Sequence, residues 1–169
     1  MKKLLFCLCA LMLLSGCTFW DSAAPQDHSS VLEQEKEFKA IIKSVENLLA
    51  EKDLPEHEAC TGNSDTAACY GFKAEALRDG WVLSSTYALE AFEIALFHAK
   101  SEANVTIIEE KLHTYLNDLE EKYASAAPQT AAVVRRAAIV SRGSFCALIV
   151  CDDALQTEVL AAINAEISD

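Results

Sequence analysis

Phe145-Cys146-Ala147-Leu148-Ile149-Val150 is a continuous apolar run set between Gly143 and the pair Asp152-Asp153. A run this short fits either a fully buried strand or a buried turn of helix, because periodicity does not separate the two at such a length. It is the only strand-like run in the chain, so its surroundings decide the fold class. On its carboxyl side, Asp152 or Asp153 is placed to cap a helix carrying Leu155, Val159, Ala162, Ile163 and Ile167. On its amino side, Thr130 to Arg142 is rich in Ala and Val and closed by Gly143, the pattern of another helix.

Further out the period stays helical. Ser30 and Glu33 form a capping box ahead of Phe38, Ile41, Ile42, Val45, Leu48 and Leu49, which share a face and predict a first helix ending near Pro55. Asp65 can cap a second helix running to Gly80. From Trp81 a third carries Leu89, Phe92, Ile94, Ala95, Leu96 and Phe97, apolar around most of its circumference and therefore central. Asn104 or Thr106 opens a fourth, with Ile108, Leu112, Tyr115, Leu116, Leu119 and Tyr123 on one stripe before Pro128. The expected fold is therefore all-α, a compact bundle of five or six helices.

The amino terminus has a different character. Lys2-Lys3 precede an apolar stretch from Leu4 to Leu14, then Ser15-Gly16-Cys17, giving a positive n-region, a short h-region and a small-residue cleavage site. The stretch is well short of the roughly 20 apolar residues that a membrane-spanning helix needs. Leu14-Ser15-Gly16-Cys17 resembles the lipobox of bacterial lipoproteins. The resemblance implies diacylation of the Cys17 thiol, cleavage just before it, and often acylation of the new amine. Two or three acyl chains hold a protein to a bilayer durably, whereas one binds marginally. Thr18 stands where an Asp would mark inner-membrane retention, so the resemblance favours the outer membrane, facing the periplasm, if the host is Gram-negative.

The implied organisation is a signal peptide over residues 1–16, a lipidated tether over 17–30 containing Pro25, and a single helical domain over 31–169. The full chain carries a net charge of −12, and losing Lys2 and Lys3 with the signal takes it to −14. Nucleic acid is a poor partner for such a surface, while a basic protein would be steered toward it. Of seven cysteines, Cys7 and Cys9 leave with the signal and Cys17 is acylated. Cys60, Cys69, Cys146 and Cys151 remain, an even number in an exported domain, which predicts two disulfides. Neighbour pairing is slightly favoured, although Cys146 and Cys151 could join only if a helix broke between them.

Sites of chemistry are sparse. Glu110-Lys111-Leu112-His113 has the Glu-x-x-His spacing of di-iron bundles, but only one copy occurs, with Glu90 and Glu93 as the other conceivable ligands. Surface charge is the ordinary explanation, and no metal ligand set or cofactor is assigned. His57-Glu58-Ala59-Cys60 and Cys69 lack the Cys-x-x-Cys spacing of structural zinc. Ala88, Phe92 and Ala95 match one helix of a tetratricopeptide repeat, but no second copy follows. No nucleophile elbow, phosphate-binding Gly-rich loop or His-Glu-x-x-His occurs.

The functional expectation is an envelope lipoprotein whose acidic domain binds another envelope protein, as inhibitor or immunity protein or as assembly factor. The alternative is a bundle that binds a metal or small ligand, conceivably an enzyme.

Overall fold

The structure is a computed structural model describing residues 28–167. Cys17, the signal segment and the tether up to residue 27 lie outside the described residues. The chain divides into two compact units, residues 1–32 and 33–169, and the fold described below is that of the second.

The fold is α/β, not an all-α bundle. Among the described residues, five α-helices accompany one antiparallel five-stranded sheet: α1 (His28–Leu49), β1 (His57–Thr61), α2 (Asn63–Tyr70), β2 (Leu77–Ser85), β3 (Glu93–Ala99), α3 (Glu102–Ala126), α4 (Pro128–Val134), β4 (Ala138–Arg142), β5 (Phe145–Val150) and α5 (Asp153–Glu166). The strand order is β1-β2-β3-β5-β4, and every neighbouring pair is antiparallel.

The apolar run Phe145–Val150 is strand β5, and it lies beside the central strand β3. The expected third helix is instead strand β2, a turn, and strand β3. The expected fifth divides into the short helix α4 and strand β4, joined to β5 through Gly143, whose φ of 57° suits a tight hairpin turn. The second helix stops at Gly71, in the left-handed conformation at φ 68°, rather than at Gly80.

The strands lack a strand-like sequence pattern for a physical reason. Helices cover both faces of the sheet, so the side chains of β3 and β5 are buried whichever way they point. The alternation that marks a half-exposed strand is absent from both, and a strand apolar on two sides looks the same in sequence as a buried helix. On one face, α1 and α5 pack Phe38, Ile41, Val45, Val159 and Ile163 against Trp81, Ile94, Leu96 and Ile149. On the other, α2, α3 and α4 pack Tyr70, Ile108, Leu112 and Val134 against Val82, Ala95, Phe97 and Leu148. Each such side chain contributes roughly 1.5–3 kcal/mol through burial.

The helices flanking the sheet match the sequence periods. Helix α3 is capped by Ser101, whose Oγ accepts the Asn104 N–H at 3.3 Å, and α5 by Asp152, whose carboxylate accepts the N–H groups of Ala154 and Leu155.

The expected disulfides are also corrected: Cys60, Cys69, Cys146 and Cys151 are free thiols. Cys146 belongs to the core on the α3 side of the sheet and Cys151 to the core on the α1 side. Residues an odd number apart along one strand direction project to opposite faces, so the sheet itself stands between the two sulfurs. Cys60 on β1 and Cys69 on α2 are neighbours without a bond. Burial and the adjacent Cys69 push the Cys60 thiol above its ordinary value.

Candidate functional site

Strand β3 begins with a charged residue. Glu93 pairs with Ser84 of β2 on one side and Val150 of β5 on the other, and its side chain projects to the α3 face. It is only 8% exposed. Two phenols meet it there: Tyr70 Oη donates to Oε1 at 2.7 Å, and Tyr115 Oη donates to Oε2 at 2.7 Å. Tyr70 is the last residue of α2, and Tyr115 lies in the middle of α3. Their rings meet edge to face at 5.0 Å, while Tyr70 also packs edge-on against Phe97 and stacks on Phe72. This aromatic packing holds both hydroxyls toward the carboxylate.

The electrostatics follow from that burial. Removal from water pushes the Glu93 carboxyl above its ordinary value, and the hydrogen bonds from Tyr115 and Tyr70 offset only part of the shift. Burial, and then the charge of Glu93, push the phenols of Tyr70, Tyr115 and Tyr123 upward, so they remain protonated donors. Among the described residues no ion pair reaches Glu93. A buried carboxylate is ordinarily matched by a cation, so this one stands out.

Glu93 forms part of the wall of an open cleft of about 220 Å³, which also presents Ser84, Ser85, Tyr87, Glu90, Tyr115, Lys122 and Tyr123. The cleft rim is the segment 86–92, tied down by side-chain hydrogen bonds at two points. Tyr87 Oη donates to Glu56 Oε2 at 2.9 Å, and Thr130 Oγ1 donates to the Leu89 carbonyl at 2.8 Å. The Lys122 ammonium lies 5.5 Å from the centroid of the Tyr123 ring, so aromatic faces at this cleft already receive a cation from the chain itself. Each carboxylate oxygen accepts one phenol hydrogen bond and keeps acceptor capacity for a further donor. The arrangement suits recognition of a donor group.

The opposite end of β3 holds a second buried polar residue. His98 is fully buried between the rings of Phe38 and Phe145, with centroids at 5.5 and 5.0 Å, and among the described residues neither ring nitrogen has a hydrogen-bond partner. Burial lowers its pKa to about 4, with the charge of Arg78 acting in the same direction.

The metal set considered in the sequence does not assemble. Glu90 and Glu93 line the same cleft, but Glu110 and His113 are exposed on α3 and do not line it. Among the described residues no group of three or more His, Cys, Asp or Glu side chains is placed to hold a metal ion. His57 and Cys60 lie on edge strand β1, with His57 Nδ1 2.7 Å from the Pro55 carbonyl. Ala88, Phe92 and Ala95, the apparent repeat motif, are residues of the β2–β3 turn and strand β3.

Glu93 was visible in sequence as an acid inside an apolar run. Tyr70, Tyr115 and Tyr123 carried no comparable mark, because elements distant along the chain bring them together.

The architecture defines the class of protein: an antiparallel sheet enclosed by two helical layers, with a polar cleft at one end of its central strands. Residues 50–151, which contain the whole sheet, match the model of a domain of unknown function, DUF4358, and the chain belongs to that family. No curated protein and no solved structure matches the chain.

Proposed function

We propose that this chain is a lipid-anchored envelope protein, held through Cys17, whose acidic α/β domain binds a basic partner protein in the envelope. The observation that carries the binding role is the Glu93 cleft, where a buried carboxylate is held by neutral donors and, among the described residues, has no ion-pair partner. Lys122 lines the same cleft but lies over the Tyr123 ring, and among the described residues it makes no ion pair with Glu93, so a positive group from a partner can complete the site. The net charge of −12 supports the choice of partner, because long-range attraction favours encounter with a basic surface. The anchor rests on the Leu14–Cys17 lipobox. Among the described residues, no helix is long and apolar enough to cross a membrane. An outer-membrane position facing the periplasm is proposed for a Gram-negative host, from Thr18.

The test is affinity capture from envelope extract at low and at high salt, using the chain with Cys17 intact and with Cys17→Ser. Recovery of one basic protein at low salt, released as the salt rises, is the expected outcome. Failure of both forms to retain any specific protein would sink the proposal.

A further inference from the structure

We propose that the cleft beside Glu93 binds a primary alkylammonium group, with the Glu93 carboxylate as its charge partner and the rings of Tyr115 and Tyr123 as its walls. This names the recognised chemistry at the site of the proposed function, and it rests on that function.

Three features of the cleft specify the ligand. The first is charge: Glu93 is buried, its two hydrogen-bond donors are uncharged phenols, and no ion pair compensates it among the described residues. A cation entering the cleft would supply the missing charge, whereas an anion would meet Glu93 and Glu90. The second is donor capacity. An ammonium brings three N–H donors and no acceptor, and it meets carboxylate oxygens that each have room for one more hydrogen bond, with the Ser84 and Ser85 hydroxyls nearby. The third is the aromatic wall. Tyrosine faces attract cations, as Lys122 over Tyr123 at 5.5 Å illustrates, and because Lys122 makes no ion pair with Glu93 among the described residues, the carboxylate is left for another ammonium. A cleft of about 220 Å³ admits an alkyl chain bearing an ammonium, but not a folded domain. The group must therefore arrive as a side chain, a chain terminus or a free amine.

The probes are Nα-acetyl-lysine methylamide, glycine methylamide for an amino terminus, and Nα-acetyl-norleucine methylamide as the uncharged control. Each is titrated into the full chain in detergent micelles while the ring resonances of ¹³C-labelled tyrosine are followed. Saturable shifts at Tyr115 and Tyr123 with an amine, and none with the norleucine amide, are expected. The tighter of the two amines assigns the source.

Glu93→Gln should bind the amine about tenfold more weakly, the scale of one lost charge-assisted hydrogen bond. If that variant does not fold, Ala88→Lys decides the matter. It places a competing ammonium at an exposed rim position and should also weaken binding about tenfold. No saturable shift with either amine, an equal response to norleucine amide, or undiminished affinity in a folded variant would overturn the proposal. These outcomes are separate from partner capture, which can succeed through other surfaces when the amine fails to bind.

Discussion

Glu93 and His98 lie on the same strand five residues apart, and the two faces of the sheet give them opposite tasks. Glu93 sits on the α3 side with two phenol donors, and His98 sits on the α1 side with none. Tyr115→Phe removes one donor while leaving the ring, so it should destabilise the fold by about 1.5–3 kcal/mol, the range for a hydrogen bond to a charged group. Urea unfolding of the variant against the native chain measures this, and a loss under about 0.5 kcal/mol would mean that Tyr115 does not hold the carboxylate.

The pH response of His98 can be signed. Its folded pKa lies near 4, below the ordinary value of 6.5, so the unfolded chain takes up the proton first as the pH falls. Its contribution to stability is present above pH 6.5 and lost as the pH drops through 4, in total roughly 3 kcal/mol. Glu93 works the other way, because its raised pKa makes the folded state the better proton acceptor. His98→Leu should therefore flatten the dependence of stability on pH between 6.5 and 4. Denaturant midpoints across that range would show it, and an unchanged slope in the variant would remove His98 as the cause.

Among the elements, strand β2 and helix α2 meet in close contact at Gly80. A Cβ built there would collide with the Thr66 side chain, which is itself fully buried and donates a hydrogen bond to the Gly62 carbonyl. Gly80→Ala should cost about 1–3 kcal/mol, because α2 must shift away from the sheet. Since α2 ends at Tyr70, the shift should also disturb the Glu93 clamp, visible as a change in the near-ultraviolet circular dichroism of the tyrosines. A variant as stable as the native chain would show that α2 yields freely.

The same elements explain how far periodicity could reach. Helices α1, α3 and α5 each turn a single apolar stripe to the sheet, so their period of 3.6 survives in the sequence. Strands β3 and β5 have helices on both sides and no polar face, so their period of 2 is erased. Leu96 and Phe97 in β3 point to opposite cores, although both read as one unbroken apolar surface.

At the scale of the whole molecule, the thiols report the layering. Cys69 is exposed, while Cys146 and Cys151 are buried in different cores with their pKa values pushed up to about 12. Iodoacetamide at neutral pH should modify Cys69 in the folded protein and reach Cys146 and Cys151 only after unfolding. Mass mapping before and after denaturant checks this, and early labelling of Cys146 would contradict the enclosed sheet. The anchor makes a separate prediction: cells fed labelled palmitate should label the native chain, and Cys17→Ser should abolish the label. Retention of label in that variant would exclude Cys17 as the attachment point.

The local chemistry readable along the chain comprised the charge, the lipobox pattern, the helix caps such as Asp152 and the stripes of three long helices. Each depends on residues adjacent in sequence or one helical turn apart. Whether Phe145–Val150 is a strand, whether Cys146 can reach Cys151, and which groups surround Glu93 depended on neighbours brought in from other elements. Strand pairing and burial on two faces are non-local, and the clamp of Tyr70 and Tyr115 on Glu93 exists only once α2 and α3 have packed on the same side of the sheet.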